Sequence, residues 1–292
     1  METKNNFFSN EQHEKPFSFR KHATIGCGGH ARVGYFPETE SGLVNLVEYY
    51  HRNAIPYAVV GNMSNILPPD GNLEKDVVST KKFREMYFND RELYVSAGTN
   101  VGALLRACEE KGMSGLEFLV GIPCTVGGAV YMNAGVPDGY MQDRVSAVKV
   151  WQNGKTFFLN VHDCQYANKH SIFMQDDFLI LGAKFCLDTA SPEFVRAKKE
   201  EYLEKRKHLP KGKSMGCVFK NPQNKLAGKL IEGAGLKGLR VGGAKVSEQH
   251  ANFIINDGCA TSSHIRELIN IIKRAVKNQY GVCLEEEIRY LD

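Results

Sequence analysis

The sequence predicts an α+β chain made of two successive units, on three observations. Short apolar runs alternate with glycine-rich turns over the first two thirds, the texture turns abruptly charged at Ser191-Pro192, and a long amphipathic helix followed by an alternating segment closes the chain. At 292 residues, with 42% hydrophobic and 24% charged positions, there is enough chain for two cores. The boundary is expected at Ser191, giving a first region over residues 1–190 and a second domain over 191–292.

Each element has a local reason. Strands are expected over residues 57–60, 93–97, 147–151, 156–159 and 178–187, where β-branched and aromatic residues cluster. Asn153-Gly154 joins two of them as a hairpin turn of the kind that needs positive φ at both central residues. A helix over about 101–111 is entered through Thr99 and Asn100 as capping candidates and closed by Gly112. Ser191 as a cap and Pro192 in the first turn open a charged helix running to about residue 207. A further helix over about 263–279 carries Ile265, Leu268, Ile269, Ile272 and Val276 on one face and ends at Gly281. The last ten residues before the terminus alternate, with Leu284, Ile288 and Tyr290 to one side and Glu285, Glu287 and Arg289 to the other.

Composition excludes several classes of function. The net charge of +4 is dispersed, which leaves no nucleic-acid footprint and only a mild preference for acidic small molecules. The eight cysteines form no Cys-x-x-Cys pair, so neither a zinc ribbon nor a disulfide framework is indicated. The polar opening METKNNFFSNEQHEKP has no apolar core segment, and the most apolar stretch, residues 119–132, is interrupted by glycine and proline and too short to span a bilayer. A cytoplasmic protein without membrane or nucleic-acid partners is the expectation, working as a monomer.

Three segments can bring main chain against a phosphate: Gly26-Cys27-Gly28-Gly29, Gly61-Asn62-Met63-Ser64-Asn65, and the run from Gly121 through Ile122, Pro123, Cys124, Thr125, Val126, Gly127 and Gly128. Any one alone reads better as a tight turn; three in one half of the chain shift the balance towards a ligand. Residues 26–31 fit G-x-G-x-x-A, but no buried strand precedes them, so the Rossmann context is missing. Lys211-Gly212-Lys213-Ser214 lacks the leading glycine of a P-loop, and no zinc-protease, serine-hydrolase or calcium motif is present. No metal is expected.

Read together, these loops resemble the UDP-N-acetylenolpyruvoylglucosamine reductases, a family of flavoenzymes. The matching blocks are Thr24-Ile25-Gly26-Cys27-Gly28-Gly29-His30-Ala31, Gly61-Asn62-Met63-Ser64-Asn65-Ile66-Leu67, Gly115-Leu116-Glu117-Phe118 leading into Gly121 to Gly135, Phe219-Lys220-Asn221-Pro222, Ala227-Gly228-Lys229-Leu230-Ile231, Gly242-Gly243-Ala244 and Leu284-Glu285-Glu286-Glu287-Ile288-Arg289. They run in family order over nearly the whole chain. The resemblance implies an FAD-binding region of the vanillyl-alcohol-oxidase type, itself of two α+β subdomains, followed by a smaller α/β substrate domain whose final strand returns to the active-site cleft. The short spacing after Ala183 resembles the form of the family that lacks an extra tyrosine-bearing loop.

It further implies non-covalent FAD reduced by NADPH, and a UDP-sugar enolpyruvyl ether as the group reduced in peptidoglycan precursor synthesis. Gly28, Gly61, Asn62, Met63, Ser64, Asn65, Gly98, Gly121, Ile122, Pro123, Thr125, Val126, Gly127 and Gly128 fall at cofactor-binding positions. Hydride addition to the enol ether leaves negative charge on the adjacent carbon and carboxylate, which must be held and then protonated. The proton-donor position falls on Cys217, where most relatives carry serine; a thiol of pKa about 8.5 releases its proton far more readily than an alcohol. The competing reading is a small buried filler.

Lys169 falls in the place of the family's arginine, with Asn168 beside it, and offers a compact charge instead of a planar fork; a solvated surface lysine is the alternative. Glu287 falls at the family's glutamate, with Glu285 as its competitor. Lys220 and Asn221 suit the diphosphate and uracil of a nucleotide sugar, and His208, Ser247, Gln249 and His250 fall near substrate-lining positions. Three other functions remain open: a flavoprotein of the same scaffold with an altered substrate, a non-catalytic UDP-sugar sensor, and a structural interaction module.

Overall fold

The computed structural model describes residues 11–175 and 177–291. The polar opening of the chain falls mostly on residues 1–10, outside the described residues. Contacts divide the chain into two compact units, each of which draws on separate stretches of sequence. The first takes residues 1–14, 33–62 and 75–207, and the second takes 15–32, 63–74 and 208–292.

Among the described residues the first unit holds a four-stranded and a five-stranded sheet, besides two pairs of two-residue strands. The strands His13–Glu14, Gly34–Tyr35, Asp76–Ser79 and Tyr57–Val60 lie side by side in that order, antiparallel at the first pairing and parallel at the other two. The larger sheet is antiparallel throughout, in the order Lys155–Asn160, Val145–Gln152, Leu179–Cys186, Glu92–Ser96, Met86–Asn89. Asn153 and Gly154 both take positive φ, 50° and 78°, as the hairpin between its first two strands requires.

Two helices cover the sheet strands. Glu40–Arg52 starts at Thr39, whose hydroxyl accepts from the Gly42 N–H at 3.0 Å. It buries Leu43, Leu46, Val47 and Tyr50 in one cluster with Val78, Phe83, Trp151, Leu179 and Leu181. Val101–Lys111 is capped by the Asn100 side chain and ends on Gly112 at φ 64°. Its Val101, Leu104, Leu105 and Cys108 join Leu93, Val95, Val148, Val150, Ala183 and Phe185 in the main core. Truncating Leu104 to alanine there costs about 2–5 kcal/mol.

The charged helix Pro192–Lys205 begins as expected, with the Ser191 hydroxyl accepting from the Phe194 N–H. It belongs with the first unit, so the contact boundary falls at 207/208 where the sequence reading put it at 190/191. The physical reason is that the helix packs on Val101–Lys111 and on the turn Glu117–Leu119. Arg196 and Lys199 both bond the Glu109 carboxylate, at 2.7 and 2.5 Å. The change of composition marks a solvated helix face, which is a surface property and carries no information about which core lies beneath.

In the second unit, Phe17–Ser18, His30–Ala31 and Asn72–Leu73 form one small sheet, and Arg240–Val241, Ala244–Val246 and Ile254–Asn256 another. Ser262–Tyr280 packs on the latter and on the short helix Ala227–Gly233, burying Ile265, Leu268, Ile269, Ile272 and Val276. At about 1.5–3 kcal/mol for each buried aliphatic side chain, this face is the main apolar contribution of the C-terminal helix. N-terminal residues join this unit through long-range bonds: Asn256 Nδ2 donates to Ile25 O at 2.8 Å and Thr24 Oγ1 to Ser214 O at 2.8 Å.

The alternating C-terminal segment is strand only at Arg289–Tyr290, parallel to Ile66–Leu67, with one isolated bridge at Glu286. Its inward positions Leu284 and Ile288 are buried as the alternation predicts. Among the described residues no helix is long and apolar enough to cross a membrane.

Candidate active site

In the first unit the glycine-rich loops are stitched to one another. Gly61 ends the strand Tyr57–Val60, and a Cβ there would stand 2.3 Å from Thr125 Oγ1. Next to it, Asn62 Nδ2 donates to Pro123 O at 2.6 Å. Thr125 caps the helical turn Val126–Tyr131, accepting from the Gly128 N–H at 3.3 Å.

Beneath this turn the N–H of Val126 bonds Thr99 O at 2.9 Å and that of Gly127 bonds Ala97 O at 2.8 Å. Ile122 N–H is likewise taken, by Leu119 O. The donors of this loop are therefore largely spent on the fold, and what its glycines provide is close approach of the main chain. Gly98 is required on packing grounds alone, since a Cβ would lie 1.7 Å from Thr80 O.

One polar atom here lacks a partner. Thr99 is 2% exposed and its Oγ1 is buried without a hydrogen bond, a state that costs about 1–3 kcal/mol unless a ligand satisfies it. An orphaned hydroxyl beside close-packed glycine main chain fits a polar, phosphate-bearing cofactor such as FAD.

Lys169 sits in a two-residue turn closed by reciprocal bonds between Ala167 and His170, N to O at 3.1 and 3.2 Å. Its φ is 54°, a conformation that glycine or asparagine adopts far more easily than lysine. The ammonium is half-buried, lies 3.4 Å from Gly135 O and acts on Cys124, whose thiol burial pushes up to about 12 while the Lys169 charge pulls it down. Asn133, which the sequence reading passed over, holds this turn. It is 1% exposed, and its Nδ2 donates both to Ala167 O at 2.9 Å and to Gln142 Oε1 at 2.7 Å.

In the second unit, Cys217 and Glu287 lie on adjoining segments. The Glu287 N–H donates to Val218 O at 2.8 Å, and Phe219 pairs with Glu286 across the same bridge. Asn65 Nδ2 donates to Glu287 O at 2.9 Å, and Asn65 O accepts from Arg289 N at 2.9 Å, so the Asn65 backbone and amide both register the C-terminal segment. Cys217 is half-buried and bridges Phe253 on its other side. The neighbouring carboxylates have other partners: Glu285, 72% exposed, pairs with Lys220 at 2.5 Å, and Glu286 binds Lys273 and Tyr290.

The other expected contacts also have intramolecular roles. Asn221 Oδ1 accepts from the Ala227 N–H at the start of Ala227–Gly233. The Ser247 hydroxyl accepts from the N–H groups of Gln249 and His250 at 3.1 and 3.3 Å, closing the turn that carries both. The ring of His250 faces that of His208 at 6.2 Å, and burial followed by the His208 charge lowers its pKa. Met63 is buried at φ 49°, with Thr24 Oγ1 donating to its carbonyl at 3.4 Å. Gly28 at φ 105° is tight against Pro68, whose Cγ would lie 2.6 Å from a Cβ.

Asn252, also missed, is a buried polar residue of this region. At 3% exposure it bonds both main-chain groups of Phe219. The available signal in both cases was an asparagine within or directly after an apolar run, Ala251 to Ile255 and residues 119–132.

Residues 31–157 match the FAD binding domain family model, and residues 207–291 match the model described as UDP-N-acetylenolpyruvoylglucosamine reductase, C-terminal domain. The fold is thus the vanillyl-alcohol-oxidase type of FAD-binding flavoprotein with a separate C-terminal domain. A solvent-stable cholesterol oxidase, 16% identical, shares that fold over 63% of this chain at a TM-score of 0.50.

UDP-N-acetylenolpyruvoylglucosamine reductases of Caldicellulosiruptor bescii and Moorella thermoacetica are 37% and 38% identical over 95% and 92% of this chain, and 90% and 89% of their own lengths. The crystal structure of the reductase from Thermus caldophilus superimposes with a TM-score of 0.82 at 33% identity, covering 97% of this chain and 99% of that one. The chain belongs to the UDP-N-acetylenolpyruvoylglucosamine reductase family, which bears out the resemblance drawn from its loops.

Proposed function

We propose that this protein reduces the enolpyruvyl group of UDP-N-acetylglucosamine enolpyruvate to UDP-N-acetylmuramate, with NADPH as electron source and non-covalent FAD, in the cytoplasm and as a monomer. The residues proposed to hold FAD are Gly28, Gly61, Asn62, Met63, Ser64, Asn65, Gly98, Gly121, Ile122, Pro123, Thr125, Val126, Gly127 and Gly128. Bound FAD supplies, after reduction by NADPH, a hydride for the terminal carbon of the enol ether.

The remaining chemistry falls to side chains. The electron pair of the double bond moves to the carbon bearing the carboxylate, and the Cys217 Sγ–H gives that carbon its proton, leaving a thiolate to be reprotonated from solvent. Lys169 is the proposed counter-charge for the developing enolate, and Glu287 the carboxylate that orients the reacting end. Lys220 and Asn221, with His208, Ser247, Gln249 and His250, are proposed for the nucleotide and sugar. The observation that supports the reading is the 2.8 Å bond from Glu287 N to Val218 O, which ties the backbone of the proposed carboxylate to the residue after the proposed acid.

The test is a sequence of spectra on the purified protein. Flavin absorption near about 450 nm should be present, bleach with NADPH, and return anaerobically on adding the enolpyruvyl UDP-sugar. A colourless preparation would turn the reading towards a sugar sensor. Bleaching with no recovery would turn it towards a flavoprotein acting on another substrate.

A further inference from the structure

We propose that Asn252 is a positioning residue for the reducing site: its amide replaces a strand ladder and holds Cys217, through the 217–219 segment, in fixed relation to Glu287. This rests on the roles given above to Cys217 and Glu287.

The segment around Cys217 is no regular strand: it bends at Gly216 and Val218 and is joined to its neighbours by single bridges, Cys217 with Phe253 and Phe219 with Glu286. Its main-chain groups are buried, Val218 and Phe219 each being 1% exposed, so water cannot serve them. Asn252 supplies what the ladder would. Its Oδ1 accepts from Phe219 N–H at 2.9 Å, its Nδ2 donates to Phe219 O at 2.8 Å, and its own carbonyl accepts from Val218 N–H at 2.8 Å. On the far edge Val218 O accepts from Glu287 N at 2.8 Å. Both polar main-chain groups of two consecutive residues are therefore satisfied, three of the four by Asn252.

A side chain is needed because the main-chain N–H of Asn252 is turned elsewhere, to His250 Nδ1 at 3.3 Å. That bond makes Nδ1 an acceptor and leaves the proton of the neutral ring on Nε2. One buried asparagine thus registers the thiol, the carboxylate strand and an imidazole. An amide does this better than an apolar residue of the same size, which would leave Phe219 N–H and O both unmet.

The experiment compares holoenzyme carrying Asn252→Ala, and the milder Asn252→Ser should alanine not fold, with wild type. Reduction by NADPH and reoxidation by the enolpyruvyl UDP-sugar are timed separately. The expected split is reduction at the wild-type rate and reoxidation slowed on the order of 10²-fold, the scale on which small misplacements act. A second readout needs no turnover: the pH dependence of iodoacetamide labelling at Cys217, followed by peptide mass, should shift in the variant. Labelling of the exposed Cys186, Cys259 and Cys283 should not.

A purely structural clamp would instead slow both half-reactions in proportion to lost fold and leave the labelling profile in place, and that result overturns the proposal. Cys217→Ala and Glu287→Gln run alongside. If they reoxidise normally, the role assignment itself is wrong and positioning falls with it. If they block reoxidation while both Asn252 variants are normal in rate and labelling, the positioning claim alone fails.

Discussion

The turn that carries Lys169 and the segment that carries Cys217 are held by the same device on different backbones. Each depends on a buried asparagine whose amide is satisfied at both ends: Asn133 accepts from Gln142 N at 3.1 Å while donating to Ala167 O, and Asn252 does the same on Phe219. The backbones differ. Lys169 and Asn133 stand at φ 54° and 43°, whereas neither Cys217 nor Glu287 has positive φ, and each lies at or next to a single bridge, Cys217 with Phe253 and Phe219 with Glu286. A left-handed lysine costs about 1–2 kcal/mol, and such outliers persist where the side chain is wanted in one place. The comparison teaches that the proposed acid is placed by single bridges completed with a side chain. The proposed cation is placed by a turn that opposes its own residue type.

The sharpest way to break this comparison is to remove the two side chains in turn. Cys217→Ala should leave bleaching by NADPH intact and slow reoxidation by the UDP-sugar about 10²–10⁴-fold, the usual worth of a positioned general acid. Stopped-flow absorbance of the flavin measures both, and unchanged reoxidation sinks the role. Lys169→Met should act on the same half-reaction by about 10²-fold, as loss of one charge-stabilising donor does. Lys169→Gly sharpens the point, since it removes the cation and also relieves the backbone. It should match the methionine variant in rate while being more stable by roughly 0.5–1 kcal/mol, the strain relieved less the entropic cost of glycine. Equal melting temperatures for the two variants would mean that the turn stores no strain.

A third substitution tests whether the asparagines are equivalent. Asn133→Ala takes their partner from the Gln142 N–H and side chain and one of two donors from Ala167 O, costing about 1–3 kcal/mol of stability by denaturant titration. Because the turn is held also by the Ala167 and His170 main chain and by Ser171 Oγ to Tyr131 O at 2.7 Å, its rate effect should be smaller than that of Asn252→Ala. A larger effect would reverse the ranking of the two regions.

Much of this organisation was legible in the sequence. The helix at 101–111, the Asn153-Gly154 hairpin and the Gly281 stop were local, because caps, positive φ and apolar period are properties of neighbouring residues. What could not be read was long-range. Residues 15–32 and 63–74 fold with the C-terminal unit through pairings such as Asn256 to Ile25, which leave no trace in composition. The charged helix was assigned across a boundary because its solvent face was informative and its packing face, with Val195 buried, was not. The candidate site residues, in the loops and at Cys217 and Glu287, come from the resemblance and stand as proposals. The two buried asparagines were not legible, since a buried amide and an exposed one are spelled alike.

The smallest expected effect concerns pH and separates the two regions once more, because only the second has an imidazole tied to its clamp. Burial, then the charge of His208 with a lesser part from Lys237, lowers the pKa of His250 below its ordinary 6.5, while its backbone contact and Glu232 oppose this. Above that ordinary value the ring is neutral both folded and unfolded, and contributes nothing to pH dependence. As pH falls through it the unfolded chain takes up the proton first, so stability declines with acidification until the folded ring also titrates. His250→Gln should remove that part of the decline. Melting temperatures from about pH 8 to about pH 5 should fall more steeply for wild type than for the variant, with the two converging in slope at the alkaline end. Parallel curves throughout would show that His250 is not held neutral, and with it would go the tautomer inferred from the Asn252 N–H.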